Sequence, residues 1–353
     1  MQALTREIEY CGQQAHMDDY EVVTIFIGGG TPSCIDEVYI TNLMQQLRTT
    51  FHITENAEIT IEANPGTLTR DKLSAYLEAG INRLSIGLQS ADNQELKLLG
   101  RIHTWEEFLE NYQAARDAGF RNINVDLMTA LPGQTCNSLR RTIEQVMKLN
   151  PEHISAYSLI IEEGTPFFDL YGGANSAGGN AIPNEEEDRQ MYAMTQSLLQ
   201  SFGYHQYEIS NFAKEGYESR HNKVYWQRGE YLGLGLGAAS LMRENRWRNE
   251  NDLSEYIEQF ATGREPKCFD KESLTTKMQM EEFMFLGLRM TRGISEQDFK
   301  QCFRKSVYEV YGNVIEELLK DGLLCKYRIQ NEQFIQLTPR GTDISNFVFM
   351  KFL

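Results

Sequence analysis

Glycine, carboxylate and arginine residues that could bind a small ligand follow several hydrophobic stretches of the chain. The stretch at 24–33, TIFIGGGTPS, passes from β-branched and aromatic residues into three glycines. Because glycine has no side chain, such a loop lets a ligand lie directly against the backbone. Glu62 and Asp126 could accept hydroxyl groups or balance a positive charge, and Arg101 could bind a carboxylate through two parallel hydrogen bonds. These three residues could equally form a structural ion-pair network, and their spacing leaves both interpretations open.

A second candidate site is the run from His221 to Trp226, with the sequence HNKVYW. The imidazole of His221 could ligate haem iron, while Tyr225 and Trp226 could pack against the macrocycle. A lone histidine is more often a hydrogen-bonding residue of the fold, and that alternative stays open on the residues alone. Of the other histidines, His103 could lie near the pocket of Arg101. The rest are interpreted as structural or exposed: His16, His52, His153 and His205.

Strand-like and helical segments alternate five times in the first half of the chain. The strand-like runs lie at 22–28, 58–63, 83–89, 122–128 and 153–160. Apolar residues at helical spacing occupy the connections at 38–48, 70–78, 105–118 and 138–149. This alternation predicts parallel βα units in an open sheet or a barrel, where functional residues gather at the carboxyl ends of the strands. The polar residues that end these strands therefore predict one pocket built from five loops.

The last part of the chain, from about residue 273, is predicted to be a separate α+β module. Helices are expected at 281–290, 295–303 and 308–321, followed by a hairpin of 323–328 with 333–337. Three helices and a hairpin are typical of a winged-helix-like module, which we expect to serve packing or partner contact. The predicted domains are therefore a barrel at 1–210, a linking segment with the histidine motif at 211–272, and this module at 273–353.

The composition is that of an ordinary soluble protein whose partners are not nucleic acids. The 353 residues are 41% hydrophobic and 24% charged, and the formal net charge is −16. Nucleic-acid affinity depends on lysine and arginine at phosphates, so this acidity disfavours broad binding of DNA or RNA. No apolar run approaches the length of a membrane helix and residues 1–14 contain no secretory signal, which predicts a cytoplasmic protein. The six cysteines include no C-x-x-C pair, so zinc-knuckle and dithiol-redox motifs are absent.

Together, the motifs resemble the HemW branch of the radical S-adenosylmethionine (SAM) superfamily, whose members are often described as oxygen-independent coproporphyrinogen III oxidase-like. The matching stretches run in order from Phe26 to near the C-terminus. They are FIGGGTPS (26–33), IEANPGT (61–67), NRLSIGLQS (82–90), LGRIHT (99–104), NINVDLM (122–128), LPGQT (131–135), EHISAYSLIIEEGTP (152–166), YEISNFA (207–213), RHNKVYW (220–226) and EEFMFLGLRM (281–290). The implied fold is an α/β partial (βα)₆ barrel, here missing its first βα unit, with the winged-helix-like module after it.

The resemblance assigns the pocket to SAM. It implies that the glycine loop binds the methionine amino group through backbone oxygens, that a carboxylate lies beside the ribose, and that further polar side chains complete the pocket. The matching residues are Gly29, Gly30 and Thr31 for the loop, Glu62 for the ribose, and Gln89, Arg101 and Asp126 for the remainder. The HNxxYW motif of the family is linked to haem binding, which makes His221 the candidate axial ligand of the iron. The family usually has a second histidine in the later glycine run, where this chain has Ala239.

Family members also hold a [4Fe–4S] cluster in a Cys-x₃-Cys-x₂-Cys loop after the first strand, and the ligands of that cluster are missing from this sequence. Residues 1–14 are expected to be the tail of the first helix. Three explanations are a misassigned start, a truncated gene, and a lineage that discarded the cluster. The first two are favoured, because the polar strand ends remain and the loss of a whole βα unit leaves an open sheet edge.

Three functions are compatible with these motifs. A haem chaperone would hold haem through His221 and pass it to an acceptor such as a respiratory cytochrome apoprotein. A coproporphyrinogen III oxidase would produce protoporphyrinogen IX, but without cluster ligands the chain as written should not turn over. A non-catalytic interaction protein would bind neither haem nor SAM. The HNKVYW motif favours the chaperone, and the open sheet edge predicts lower stability or a homodimer.

Overall fold

A curled sheet carries the predicted pocket residues in this computed structural model, which describes residues 1–14, 17–172, 181–262 and 266–353. In spatial order its strands are β1 (Val22–Ile27), β2 (Ile53–Ala63), β3 (Arg83–Gln89), β4 (Ile123–Thr129), β5 (His153–Ser158), β7 (Asn211–Ala213) and β6 (His205–Glu208). Strands β2 to β5 pair in parallel, and β7 pairs antiparallel with both β5 and β6. The predicted α/β partial barrel is confirmed, with β1 at one edge. His16 lies outside the described residues.

Helices precede and connect these strands, and the helices predicted at 38–48, 70–78, 105–118 and 138–149 are among them. They are α1 (Gln2–Gly12), α2 (Glu37–Thr50), α3 (Arg70–Glu78), α4 (Asn93–Leu98), α5 (Trp105–Ala118), α6 (Cys136–Leu149), α7 (Pro166–Tyr171) and α8 (Glu185–Ser201). Thr104, Thr135 and Asn184 each begin a helix with a capping box, in which two otherwise unpaired backbone N–H groups are satisfied. Gly119 and Asn150 end α5 and α6 in the left-handed conformation.

The central strands have one apolar face and one polar face. Side chains alternate between the two faces of a strand, so residues two apart share a face. The register pairs Ser85 with Asn124, and Asn124 in turn with His153. Two residues further along the same two strands, Asp126 pairs with Ser155. Polar side chains therefore lie side by side across three strands, on the face opposite the buried leucine, isoleucine and valine residues of these strands.

The remaining elements follow the barrel strands in the chain. They are α9 (Arg220–Trp226), β8 (Ala239–Met242), β9 (Asn245–Asn249), α10 (Leu253–Ala261), β10 (Cys268–Ser273), α11 (Thr276–Gly287), β11 (Ile294–Ser295), α12 (Glu296–Phe303), α13 (Val307–Lys320), β12 (Leu324–Ile329), β13 (Glu332–Leu337), α14 (Pro339–Asp343) and α15 (Ser345–Met350). The predicted C-terminal helices and hairpin are present, and β11 adds a third strand beside β13. No helix in the described ranges has the length and apolar character needed to cross a membrane.

The chain divides into two compact units. A barrel unit contains residues 24–41 and 58–218, and a second unit contains 1–23, 42–57 and 219–353. In the second unit, aliphatic and aromatic side chains of α11 to α13 and of the hairpin form a core around Phe299 and Ile335. The domain boundaries at 210/211 and 272/273 stay a prediction.

A buried carboxylate, Glu7, attaches the first helix to the rest of the second unit. Its Oε2 accepts hydrogen bonds from the Gly235 N–H (2.8 Å) and the Tyr256 hydroxyl (2.5 Å), and its Oε1 accepts one from the Asn249 amide (2.6 Å). Burial raises the pKa of Glu7, since desolvation disfavours the charged form more than these donors favour it. Helix α1 is therefore an integral part of the unit that contains residues 219–353.

Candidate functional site

The glycine loop after β1 leaves open space beside its backbone. Gly29 and Gly30 have φ angles of +82° and +71°, which residues other than glycine rarely adopt. A Cβ added at Gly30 would meet no atom within 4 Å. At Gly28 an added Cβ would lie 2.9 Å from Oε2 of Glu62, so a side chain there would displace that carboxylate. The loop therefore combines an accessible backbone with a carboxylate held against it.

Glu62 on β2 and Asp126 on β4 form an acidic pair. The Gly29 N–H donates a hydrogen bond to Oε2 of Glu62 (3.2 Å). Burial raises the pKa of Glu62, and the neighbouring negative charge of Asp126 raises it further, against the lowering effect of the Gly29 N–H. Asp126 retains some accessible surface, but its carboxyl group is surrounded by protein atoms, and the resulting desolvation raises the pKa of Asp126 too. A cation bound beside this pair would stabilise its charged form.

Asn64 connects the glycine loop to Arg101. Its Nδ2 donates to the Thr31 hydroxyl (3.0 Å), and its Oδ1 accepts a hydrogen bond from Nη1 of Arg101 (3.3 Å). This contact of Arg101 is with a neutral amide, so it does not neutralise the positive charge that could bind an anionic group of a ligand. Asn64 belongs to the stretch IEANPGT, and nothing in the sequence except its position before Pro65 indicates that it contacts the glycine loop.

Gln89 has a backbone conformation that is unusual for its residue type. Its φ angle is +75°, and the pairing of β3 with β4 is irregular between Gly87 and Gln89. Its Oε1 accepts a hydrogen bond from the Tyr157 hydroxyl (3.2 Å). Next to Gln89, the carbonyl oxygen of Leu88 lies 3.2 Å from Nε2 of His103. A carbonyl oxygen can only accept, so this nitrogen carries a hydrogen and donates the hydrogen bond. Strained backbone of this kind is concentrated at functional sites.

Tyr157 on β5 is a common neighbour of the predicted pocket residues. Burial raises its pKa to about 12, and the negative charges of Asp126 and Glu62 act in the same direction, whereas Arg101 acts against them. The structure therefore brings four predicted side chains together around this tyrosine, in the barrel unit. They are Glu62, Gln89, Arg101 and Asp126. The loop residues Gly29 and Thr31 join them through Glu62 and Asn64.

Helix α9 carries the second candidate site. Its first turn is capped by Ser219, whose hydroxyl accepts a hydrogen bond from the Asn222 N–H. His221 and Tyr225 lie one turn apart, with the Tyr225 hydroxyl 3.1 Å from Nε2 of His221 and the two rings edge to face. Tyr225 also packs against Tyr231, at 4.7 Å between ring centroids, and burial raises its pKa. The structure thus places His221 and Tyr225 together on one face of the helix.

Trp226 lies on a different face of α9. The guanidinium carbon of Arg289 is 4.3 Å from the centroid of the Trp226 ring, which is cation–π geometry. The indole Nε1 is buried without a hydrogen-bond partner in the described structure. Arg289 therefore covers one face of the Trp226 ring, and the expected packing of this ring on a macrocycle stays a prediction.

The other histidines differ in burial. His52 is exposed (69% of its side chain), His205 is half-exposed beside Glu218, and His153 is fully buried. All six cysteines are free thiols, and within the described ranges no three or more His, Cys, Asp or Glu side chains are arranged to hold a metal ion. These residues do not fit a [4Fe–4S] cluster, which takes cysteine thiolates, and no reaction step through such a cluster follows from them.

Two family models match parts of this chain, and two curated relatives match most of it. The Radical SAM superfamily model matches residues 5–146, and the HemN C-terminal domain model matches residues 274–344. The heme chaperone HemW of Bacillus subtilis is 38% identical over 334 residues, covering 94% of this chain and 86% of the relative. HemW of Lactococcus lactis is 36% identical over 330 residues, covering 94% and 84%.

One solved structure covers nearly the whole chain. It is the coproporphyrinogen III oxidase HemN of Escherichia coli, a radical SAM enzyme, with a TM-score of 0.80 over 99% of this chain and 81% of that one. The two sequences are 23% identical, so the likeness shows a shared fold and not a shared activity.

Proposed function

The chain belongs to the HemW family of the radical SAM superfamily, and on that premise we propose that it binds haem and passes it to an acceptor protein. The observation that carries the proposal is the pairing of His221 with Tyr225 on α9. A tyrosine hydroxyl can donate or accept, so Nε2 of His221 can exchange this contact for iron. In this role the imidazole of His221 would hold the iron, and the rings of Tyr225 and Trp226 would pack against the macrocycle.

The pocket of the barrel unit is proposed to bind SAM as an accessory ligand. Backbone oxygens of Gly29, Gly30 and Thr31 would accept the methionine ammonium group, and Arg101 would bind its carboxylate. The side chains proposed to contact the ribose or balance the sulfonium charge are Glu62, Gln89 and Asp126. The open space at Gly30 and the neighbouring carboxyl groups of Glu62 and Asp126 support a cationic ligand here.

The experiment that tests the haem site is a titration of the purified chain with haem, followed by Soret absorbance, beside the variants His221→Ala and His52→Ala. His52 is the matched control, because it is a histidine with an exposed side chain and no motif. We expect saturable one-to-one binding that only His221→Ala loses. Binding that is indifferent to His221, or that both variants weaken equally, would contradict the proposal.

The acceptor is proposed to be a respiratory cytochrome apoprotein, reached from the cytoplasm. The haem-loaded chain would be mixed with such an apoprotein, and transfer would appear as a shift of the Soret band to that of the cytochrome. Two copies of the chain are further proposed to pair along edge strand β1. A monodisperse monomer that unfolds cooperatively would exclude this dimer.

A further inference from the structure

A row of hydrogen bonds crosses the polar face of the sheet from Tyr207 to the carboxyl group of Asp126. The Tyr207 hydroxyl lies 2.8 Å from Nε2 of His153, and Nδ1 of His153 lies 2.6 Å from Oδ1 of Asn124. Nδ2 of Asn124 then lies 2.7 Å from Oδ1 of Asp126. Tyr207, His153 and Asn124 are 3%, 0% and 2% exposed, so water does not substitute for any of these contacts.

The donors and acceptors available on each side chain determine which group donates in each of these hydrogen bonds. The Asn124 amide nitrogen donates to Asp126 and also to the Ser85 hydroxyl (2.8 Å), so the amide oxygen must face His153. Nδ1 of His153 therefore carries the imidazole proton, which leaves Nε2 as an acceptor for the Tyr207 hydroxyl. The Ser85 hydroxyl in turn lies 3.4 Å from Oδ2 of Asp126.

The imidazole of His153 favours its neutral form, in which only one of the two ring nitrogens carries a hydrogen. Burial lowers the pKa of His153 well below its usual value, and the nearby positive charge of Arg83 lowers it further. A neutral imidazole has one N–H, and only the tautomer with the proton on Nδ1 can donate to the Asn124 oxygen, whereas the Tyr207 hydroxyl can pair with Nε2 in either tautomer. The opposite tautomer would set a bare nitrogen against the Asn124 oxygen. Asn124 would then have to turn that oxygen toward the carboxyl group of Asp126.

We propose that Tyr207 and His153 are positioning residues that hold Asp126 in the orientation in which it meets the ribose of SAM. Tyr207 holds the ring of His153 through Nε2, and the Nδ1–H of His153 holds the amide of Asn124, which donates to the carboxyl group. Neither residue lies among those assigned to the pocket, although both belong to the motif stretches EHISAYSLIIEEGTP and YEISNFA. The inference rests on the proposed SAM pocket.

The test compares Tyr207→Phe with Tyr204→Phe. Both lose a buried hydroxyl from the same part of the chain, but Tyr204 donates to the Pro151 carbonyl and has no link to Asp126. SAM affinity is measured by isothermal titration calorimetry, and the His153 tautomer by ¹⁵N NMR. We expect the wild type and Tyr204→Phe to show a proton on Nδ1 and equal affinity. Tyr207→Phe should keep the proton on Nδ1, because an Nε2–H would have no acceptor there, and its affinity should be lower by about two- to tenfold, since His153 loses one of the two hydrogen bonds that hold its ring.

A third variant, His153→Asn, keeps the argument testable if Tyr207→Phe does not fold. Its amide nitrogen can occupy the place of Nδ1 and donate to Asn124, so we expect an affinity near that of the wild type. A proton on Nε2 in the wild type, or an equal loss of affinity in both tyrosine variants, would overturn the proposal. Failure of the wild type to bind SAM would overturn it as well, while the haem titration with His221→Ala would still report separately on the chaperone function.

Discussion

The hydroxyl of Tyr225 lies 3.1 Å from Nε2 of His221, one turn earlier on α9, so the nitrogen proposed to ligate iron already has a partner. Iron binding must replace this hydrogen bond. The variant Tyr225→Phe removes the competing hydroxyl and keeps the ring. Since a neutral hydrogen bond contributes a net of about 0.5–1.5 kcal/mol, we expect haem affinity to rise by about two- to tenfold in a Soret titration.

Tyr231→Phe is the control for this experiment. Tyr231 packs against the ring of Tyr225 at 4.7 Å, and its replacement leaves the Tyr225 hydroxyl in place. Its haem affinity should match the wild type. Weaker binding by Tyr225→Phe would mean that the hydroxyl contacts haem directly instead of competing with it.

The affinity for SAM should fall as the solution becomes acidic. The pKa of Glu62 is raised in the folded protein, mainly by burial and further by Asp126. As the pH falls through that raised pKa, Glu62 gains a proton and no longer attracts a cation, so binding weakens by up to about tenfold per pH unit. Calorimetry in buffers of different ionisation enthalpy should also detect proton release on binding. In Glu62→Gln both effects should shrink, and an unchanged pH profile would assign the effect to another group.

Replacing Gly30 by alanine should affect the ligand more than the fold. Gly30 and Gly216 have similar φ angles, +71° and +83°, and an added Cβ would meet no atom within 4 Å at either position. Each substitution should therefore cost about 1–2 kcal/mol of unfolding free energy from backbone strain. Only Gly30→Ala should also weaken SAM binding, because its methyl group occupies the space beside the loop. Equal SAM affinities in the two variants would remove the glycine loop from the proposed pocket.

His103 should stabilise the strained backbone at Gln89. His103→Ala leaves the Leu88 carbonyl oxygen without its donor in a buried position, at a cost of about 1–3 kcal/mol of unfolding free energy. Urea denaturation measures this loss. His205→Ala serves as the comparison, since the side chain of His205 is 44% exposed, and it should change stability by less than about 0.5 kcal/mol. A similar loss in both variants would show that the contact with Leu88 does not matter.

Local patterns in the sequence were sufficient to predict most of the fold. The strand predicted at 83–89 is β3, Arg83–Gln89, and the helix predicted at 105–118 is α5, Trp105–Ala118. Both segments have a clear hydrophobic pattern and end signals beside them, which is where such reasoning is most reliable. The strand predicted at 58–63 was too short at its start, because β2 begins at Ile53 with residues that are only partly buried.

The contacts between side chains could not be predicted in the same way. His153 was interpreted as structural or exposed, and no local pattern connects it with Asn124 or Tyr207, which are 29 and 54 residues away in the chain. No local pattern connects Trp226 with Arg289 either, although the two side chains are in cation–π contact. Such partners depend on the register of strands and the packing of helices, which single-sequence periodicity does not encode.

The hydrogen bond between Glu7 and Tyr256 joins residues 249 positions apart. The ribosome must therefore synthesise α10 before the first helix can complete its contacts, whereas the barrel unit ends at residue 218. Until then, α1 exposes an apolar face and a carboxylate without its final donors. A nascent chain halted shortly before Leu253, where α10 begins, should be cleaved by protease in α1 while the barrel unit is already resistant. Helix α1, although synthesised before the barrel unit, would then fold after it.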